Sequence, residues 1–243
     1  MQILVKFGAL GAAVVFWATA AIAAPLTVKP DEAFREAFPQ VPADSIKPTD
    51  IKGLFEVVSG TRILYYFQEK NYLFVGDIYQ KGLKNLTAEK RAELEKKHAQ
   101  AALEAAKKLP LEKAVKIGNG KKVIIEFTDP ECPFCRNASA YLAKRTDVTR
   151  YVFFIVLADH PLAMAKIHYI LGADDKAQAY EDMMAGKDLP KSAPVATEAV
   201  KGWAREDAAL GEKVGIPATP TFFLNNQMVV GANIRQIEQL LKD

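Results

Sequence analysis

The chain has 243 residues, of which 50% are hydrophobic and 25% are charged, and its formal net charge is +3. This balance is ordinary for a water-soluble globular protein, and the length allows one large domain or two small ones. Lysine and arginine are spread along the sequence with no run of five or more, so the composition argues against a nucleic-acid-binding surface.

Residues 1–23 have the pattern of a secretory signal peptide. Lys6 is the only charge, a long apolar run follows it, and Ala21 and Ala23 form an Ala-x-Ala site that predicts cleavage after Ala23. The alternative is a retained membrane anchor, because the apolar stretch is nearly long enough to span a bilayer. In either case we expect an exported protein, which works where thiols tend to be oxidised.

Residues 24–86 predict a small α+β domain. An amphipathic helix over residues 31–38 places Phe34 and Phe38 on one face, and three prolines between residues 39 and 48 then interrupt the chain. Three strand-like runs follow, at residues 53–60, 62–68 and 71–80. A unit of roughly 60 residues is marginal alone. It therefore either pairs its sheet with a second copy or packs on the rest of the chain.

Residues 87–109 predict a helix that links this domain to the next. Thr87 can cap its start, and Glu93 with Lys97 and Glu104 with Lys108 are spaced for ion pairs. The apolar stripe is weak because it consists mostly of alanine. A helix that is polar nearly all round often bridges domains, and this one would span about 35 Å.

Residues 110–243 predict a thioredoxin-like α/β domain. A buried strand at residues 121–129 leads into a helix that begins at the cysteines, and a second strand follows at residues 150–159. The chain is then mostly helical over residues 161–213 before a β-hairpin and a closing helix. This order is that of a thioredoxin-like domain with a helical insertion.

Cys132 and Cys135 are the only cysteines, and three roles of the pair are possible: a zinc site, a structural disulfide or thiol-disulfide exchange. A structural zinc site needs four ligands, and the three histidines, at positions 98, 160 and 168, have no finger-like spacing. A structural disulfide across two residues would remove little entropy from the unfolded chain. Thiol-disulfide exchange fits the spacing well, because the pair lies between a strand and a helix in an exported chain.

The two cysteines are predicted to have different roles. Cys132 lies at the helix start, where free backbone N–H groups and the helix dipole favour a thiolate, so we predict that it is the exposed nucleophile. Cys135 lies one turn further on and can attack any mixed disulfide formed by Cys132. We therefore predict that Cys135 is the shielded, resolving thiol, and we expect neither a metal nor another cofactor.

Three segments of the sequence resemble the DsbC/DsbG family of periplasmic thiol-disulfide isomerases. They are FTDPECPFC at residues 127–135, DDKAQAYEDMMAGK at residues 174–187 and GIPATPTFFL at residues 215–224. The resemblance covers nearly all of the mature length. It implies a cystatin-like N-terminal dimerisation domain, a linker helix and a thioredoxin-like catalytic domain, arranged in a V-shaped homodimer.

The resemblance also assigns residues and partners. It implies that Pro220 is cis and lies beside Cys132, and that Thr219 offers its backbone to a substrate peptide. It implies a periplasmic location and a DsbD-type membrane reductase as partner. The sequence is nearer to DsbG than to DsbC, because it lacks cysteines for the second disulfide of DsbC. Phe134, next to Pro133, gives the thiolate neither charge nor hydrogen bond, so we expect a less oxidising pair than that of DsbA.

The function expected from these features is isomerisation or reduction of wrong disulfides, or rescue of oxidised single cysteines, in exported proteins. Two alternatives remain at this point. One is a DsbA-like dithiol oxidase. The other is a dimeric holdase chaperone whose redox activity is incidental.

Glu126 is an acid within the apolar run VIIEF. Strand alternation places it on the face of Ile124, opposite Ile125 and Phe127, and a central strand is covered on both faces. We therefore predict a buried carboxylate that accepts the proton of Cys135, although a position at the strand end, open to solvent, is the alternative. Thioredoxin and DsbA are similar in having an acid six residues before their first cysteine.

Overall fold

The computed structural model describes residues 28–157 and 160–242. The predicted signal peptide lies outside these residues. The described chain forms two compact units, one of residues 28–60 and 64–75 and the other of residues 61–63 and 76–242. Among the described residues, no helix combines the length and apolarity needed to cross a membrane.

The first unit is one helix and a four-stranded sheet in the order β1-β2-β3-β4. Its elements are α1 (Pro30–Ala37), β1 (Ser45–Pro48), β2 (Leu54–Ser59), β3 (Arg62–Phe67) and β4 (Tyr72–Phe74). The rings of Phe34 and Phe38 are 5.5 Å apart, and Phe34 also packs edge-on against Tyr66 at 5.3 Å. The predicted shared face of Phe34 and Phe38 is therefore confirmed.

The strands of this region differ from the predicted ones in two places. The sequence did not predict β1, because prolines surround it. Pro48, however, is the last residue of an edge strand, where a missing N–H is tolerated. The predicted strand over residues 71–80 is broken after Phe74. Tyr79–Gln80 (β5) instead forms a separate hairpin with Lys84–Asn85 (β6).

The helix α2 spans Leu86–Ala106. Asn85 rather than Thr87 caps it by accepting the Ala88 N–H at 2.8 Å, while the Thr87 hydroxyl accepts the N–H of Ile78. The ion pairs also differ from those predicted, because Glu93 pairs with Lys90 and Glu104 with Lys107. Its last turns are not polar all round. Their buried alanines pack against the second sheet.

The second sheet has the strand order β11-β10-β8-β9-β7. The strands are β7 (Val115–Ile117), β8 (Lys122–Thr128), β9 (Val148–Phe154), β10 (Thr221–Leu224) and β11 (Gln227–Val230). The central strands β8 and β9 are parallel, and the other pairs are antiparallel. The predicted strand at residues 150–159 begins and ends earlier than expected, and the short edge strand β7 was not predicted.

Helices cover both faces of this sheet. They are α3 (Pro133–Leu142), α4 (Ala163–Gly172), α5 (Lys176–Met184), α6 (Glu198–Val214) and α7 (Ile234–Leu240). Ile124 packs with α3 and α7 on one face, while Phe127 and Phe153 pack with α2 and α6 on the other. The predicted hairpin turn is confirmed, because Asn225 and Asn226 both have a positive φ between β10 and β11. The thioredoxin-like fold with a helical insertion is therefore present.

A buried carboxylate on α6 makes the stability of this unit depend on pH. Asp207 is 5% exposed and accepts the backbone N–H of Phe154 at 2.9 Å. Burial raises its pKa to about 7, and the neighbouring Glu206 acts in the same direction. An unfolded Asp has a pKa near 3.9, so the unfolded state loses this proton first as the pH rises. Stability is therefore lost between about pH 4 and pH 7.

Replacing Asp207 with Asn is expected to stabilise the protein above neutral pH. The amide oxygen can still accept the Phe154 N–H, while the buried charge is gone. We expect a gain of roughly 1–3 kcal/mol at about pH 8 that shrinks towards zero at about pH 3, where Asp207 is mostly neutral in both states. Urea unfolding of the variant and of the unsubstituted protein at both pH values measures this gain in the free energy of unfolding. An equal effect at the two pH values would contradict the assigned titration.

Candidate active site

Cys132 lies where the chain passes from β8 into α3. It is the N-cap residue of α3, and Pro133 occupies the first helical turn, where its missing N–H costs nothing. The turn before it closes through a hydrogen bond from the Cys132 N–H to the Asp129 carbonyl at 3.1 Å. Cys135 follows within the first turn of α3. The strand-cysteine-helix arrangement predicted from the sequence is confirmed.

The two thiols have different surroundings. Cys135 is fully buried, and burial raises its pKa to about 12. Cys132 is 6% exposed. It is therefore more exposed than Cys135, as predicted, but less exposed than the sequence led us to expect. The reason is that Cys132 is packed among other buried side chains and its Sγ lies 3.6 Å from the Thr219 carbonyl oxygen.

The loop before β10 lies beside Cys132. The Thr219–Pro220 peptide bond is cis, as the family resemblance implied. The structure thus brings Cys132 and Thr219 together from positions 87 residues apart. Phe134, in the first turn of α3, has 64% of its surface exposed.

Glu126 is fully buried on β8, so the predicted burial is confirmed and the solvent-open alternative is wrong. Its Oε1 accepts the hydroxyl of Tyr180 at 3.0 Å, and its Oε2 is 3.7 Å from a guanidinium nitrogen of Arg150. Burial raises the pKa of Glu126, while Arg150 and Tyr180 act in the opposite direction. The carboxyl group therefore holds a proton more readily than an exposed glutamate, in spite of the cation beside it.

Thr128 is a neighbour of both Glu126 and Cys135. It follows Glu126 by two residues, so the two side chains share one face of β8. Neither Thr128 Oγ1 nor Glu126 Oε2 makes a hydrogen bond of normal length and angle. The Thr128 hydroxyl is nevertheless close enough to both groups to lower the pKa of each, although burial outweighs it. Thr128 is thus a neighbour of both the buried thiol and the buried carboxyl group.

The active-site turn is held by three contacts that the sequence did not reveal. The buried Asp129 carboxylate pairs with His160 Nδ1 at 2.7 Å. Glu131, directly before Cys132, accepts the Leu162 N–H at 2.7 Å and pairs with the buried Lys166 at 3.1 Å. We predicted His160 only as a loop residue. Its partner is 31 residues away, and no local pattern marks such a contact.

The described residues contain no group of three or more His, Cys, Asp or Glu side chains that could hold a metal ion. The chemistry available at this site is that of the two thiols, the buried carboxylate and the backbone around them. Such an arrangement supports thiol-disulfide exchange.

The sequence comparisons agree with this chemistry. Residues 18–88 match the model of the disulfide bond isomerase protein N-terminal domain, and residues 109–242 match that of a thioredoxin-like domain. The chain is 30% identical over 211 residues to a probable thiol:disulfide interchange protein DsbC from Bordetella avium, covering 85% of this chain and 71% of that protein. The chain belongs to the DsbC/DsbG family.

More distant relatives of this DsbC/DsbG protein extend the comparison. It is 25% identical over 195 residues to the thiol:disulfide interchange protein DsbC of Escherichia coli K12, covering 78% of this chain and 76% of that protein. Among solved structures, a linker-deletion variant of Proteus mirabilis ScsC is 18% identical, with a TM-score of 0.52 over 64% of this chain and 87% of that chain. That last likeness concerns the fold alone. The chain is thus a thiol-disulfide oxidoreductase of the disulfide isomerase type.

Proposed function

We propose that the protein corrects or reduces wrong disulfides in exported proteins, with Cys132 as the nucleophile and Cys135 as the resolving thiol. The observation that carries this assignment is the contrast between the two cysteines. Cys132 caps α3 next to the Thr219 carbonyl, whereas Cys135 is fully buried with its pKa raised to about 12. Only Cys132 is placed to meet a client disulfide.

The reaction begins when the Cys132 thiolate attacks one sulfur of a client disulfide. An S–S bond forms between Cys132 and the client, and the second client sulfur leaves as a thiolate with the bonding electrons. A free client thiol can then attack the mixed disulfide, which regenerates Cys132 and leaves a rearranged client. Alternatively Cys135 attacks Cys132, so that the client leaves reduced by two electrons and the Cys132–Cys135 disulfide forms.

The client segment is held beside Cys132 by backbone and apolar contacts. Thr219, partly exposed next to Cys132, can pair its backbone with an extended client segment as an added strand. Pro220 fixes the loop that presents Thr219. The exposed ring of Phe134, two residues after Cys132, offers an apolar surface. These contacts select extended, cysteine-containing segments and not one particular sequence.

The proposed setting is the periplasm, reached through cleavage of the signal peptide at residues 1–23. There a DsbD-type membrane reductase would return the Cys132–Cys135 disulfide to the dithiol, since an isomerase must start reduced. Residues 24–86 would form the homodimer, residues 87–109 the link and residues 110–243 the catalytic domain. Two facing sites in one dimer can hold a single misfolded client.

Thiol trapping in the native compartment tests this function. A mostly reduced Cys132–Cys135 pair supports the isomerase or reductase, and a mostly oxidised pair supports the dithiol oxidase. The holdase alternative is tested with a variant in which both cysteines are replaced by Ser. Full protection of an unfolding client by that variant, with no loss of function, would overturn the redox proposal.

We further propose that Glu126 accepts the proton of Cys135 in the resolving step. Because burial raises the pKa of Cys135 to about 12, its thiol is almost wholly protonated at neutral pH and its attack needs a base. Glu126 would supply this base, because the Thr128 hydroxyl is a neighbour of both groups and can pass a proton between them. The proposed proton transfer, or relay, involves the resolving thiol Cys135 and not the nucleophile Cys132.

Replacing Glu126 with Gln is expected to slow resolution by about 10- to 100-fold while leaving the attack by Cys132 nearly unchanged. The amide has the same shape but does not titrate. Stability should be equal or higher, because a costly buried acid is removed. Stopped-flow kinetics with a chromogenic aryl disulfide separates the two steps. Unchanged resolution rates between about pH 6 and pH 8 would reject the relay.

A further inference from the structure

Arg150 is a fully buried cation in the middle of the sheet, 1% exposed on β9. A buried guanidinium is costly unless it is paired and hydrogen-bonded. Here its nitrogens reach Ser139 Oγ at 3.2 Å, the Tyr180 hydroxyl at 3.3 Å and Glu181 Oε1 at 2.6 Å. Its charge also lies 3.7 Å from Glu126. The cation therefore joins four elements, namely β8, β9, α3 and α5.

Two members of this group come from one helix of the insertion. Tyr180 and Glu181 are adjacent on α5, and both reach Arg150. The Tyr180 hydroxyl accepts a hydrogen bond from Arg150 and donates one to Glu126 Oε1 at 3.0 Å. The Arg150 guanidinium also lies 5.1 Å from the centre of the Tyr180 ring. Tyr180 is fully buried, so water does not compete for the hydrogen bonds of its hydroxyl.

The two side chains act on Glu126 in opposite directions. Tyr180 donates to the carboxylate and so stabilises its charged form. Glu181 is a second negative charge. It pairs with one guanidinium nitrogen of Arg150, while the other nitrogen faces Glu126. Its side chain is 33% exposed, so its influence is partly screened by solvent. Around Glu126, the charged or titratable neighbours are thus Arg150 from β9, Tyr180 and Glu181 from α5, and Cys135 beyond Thr128.

We propose that helix α5, through Tyr180 and Glu181, sets how readily Glu126 accepts the Cys135 proton and so how fast the resolving step runs. The inference rests on the proposed relay and deepens it, because it makes the insertion a part of the redox chemistry. Tyr180, Glu181 and Arg150 are positioning residues, since none of them touches the reacting sulfurs.

The step that α5 controls is balanced as follows. The Cys135 S–H proton moves by way of the Thr128 hydroxyl to the Glu126 carboxylate. The Cys135 thiolate attacks Cys132, the Cys132–Cys135 bond forms and the Cys132–client bond breaks with its electron pair on the client sulfur. The client thiolate takes a proton from solvent, and Glu126 later returns its proton to solvent. The choice between resolution and rearrangement of the client therefore depends on the proton affinity of one buried carboxyl group.

The test measures resolution against pH in three variants of the full-length mature protein. A mixed disulfide is first formed on Cys132 with a chromogenic aryl thiol, and its decay is followed between about pH 5 and pH 9, where Cys135 itself does not titrate. Tyr180→Phe keeps the ring but removes the donor to Glu126. In the unsubstituted protein the resolution rate should fall at low pH, where Glu126 is protonated; this fall is the acid limb of the profile. In Tyr180→Phe we expect the limb to move to higher pH by about one unit, while at high pH the rates of the variant and of the unsubstituted protein converge.

Glu181→Gln is expected to shift the same limb in the opposite direction, by a smaller amount. Glutamine can still accept from Arg150, while the competing negative charge is gone. Tyr169→Phe is the matched control, because Tyr169 is a partly buried tyrosine packed against the same apolar cluster on α4. It should leave the profile unchanged. A general loss of packing cannot produce shifts of opposite sign.

Two outcomes would overturn the inference, and they can be told apart from failure of the relay. If Tyr180→Phe and Glu181→Gln leave the limb in place, or lower the rate equally at every pH, α5 does not set the proton affinity of Glu126. In the Glu126→Gln background the limb should be absent, and Tyr180→Phe should have no further effect on the pH profile. If Glu126→Gln itself keeps the limb, the relay is wrong and another base serves Cys135.

Discussion

Replacing Cys135 with Ala is expected to turn the protein into a trap for its clients. Cys132 keeps its position as the N-cap of α3, so its attack on a client disulfide should continue. The intramolecular thiol that releases the client is gone. Because a positioned internal group acts at a far higher effective concentration than an external thiol, release of clients that have no second free thiol should slow by about 10³-fold or more. Non-reducing electrophoresis of extracts and mass spectrometry of the adducts measure the trapping.

The reciprocal variant is the matched control for the trap. Cys132→Ala leaves only the fully buried Cys135, and it should form almost no adducts. Alkylation of the unsubstituted protein at mildly acidic pH should modify Cys132 well before Cys135, whose pKa is raised by burial. If Cys132→Ala traps clients as readily as Cys135→Ala, or if Cys135 is alkylated first, the assigned roles are reversed.

Charges on the outer strand of the first unit are expected to separate the proposed homodimer into monomers. β4 is an edge strand of only three residues, and Tyr72 and Phe74 on it are 58% and 50% exposed. An exposed edge with aromatic side chains is a template for pairing with a second copy, and charges oppose such pairing. Replacing both residues with Glu should therefore give a monomer by light scattering, with isomerase activity lost and simple reductase activity retained.

Ile51 provides the matched control for this surface. It is 52% exposed and lies between β1 and β2, at the opposite side of the same sheet. Ile51→Glu adds a charge of the same kind without touching the β4 edge, and it should leave the dimer intact. A monomeric mature protein without any substitution would reject the dimer. Dimers that persist in the Tyr72→Glu, Phe74→Glu variant would move the interface away from β4.

The sequence predicted those features that depend on neighbouring residues. The shared face of Phe34 and Phe38 follows from helical spacing, and the burial of Glu126 follows from strand alternation within an apolar run. The paired asparagines of the last hairpin mark their own turn. The cis bond before Pro220 was assigned from the family resemblance, because local pattern alone did not choose between the two prolines of that loop.

The features that the sequence did not predict depend on contacts between distant residues. The edge strand β7 is three residues long, which is too short for a periodic signal. Asn85 took the cap of α2 because the Thr87 hydroxyl was engaged by Ile78. Arg150 is the first residue of the strand predicted at residues 150–159, and only the fold shows that it is buried and bonded to Tyr180 and Glu181.

The different properties of the two thiols exist only in the folded chain. Glu126 meets Tyr180 across 54 residues, and Glu131 meets Lys166 across 35. In a newly made chain these groups lie in water, where carboxyl groups and thiols have their ordinary pKa values. Until the domain has folded, Cys132 and Cys135 are two similar thiols, open to any disulfide nearby. The protein must therefore complete its own folding promptly before it can correct the folding of others.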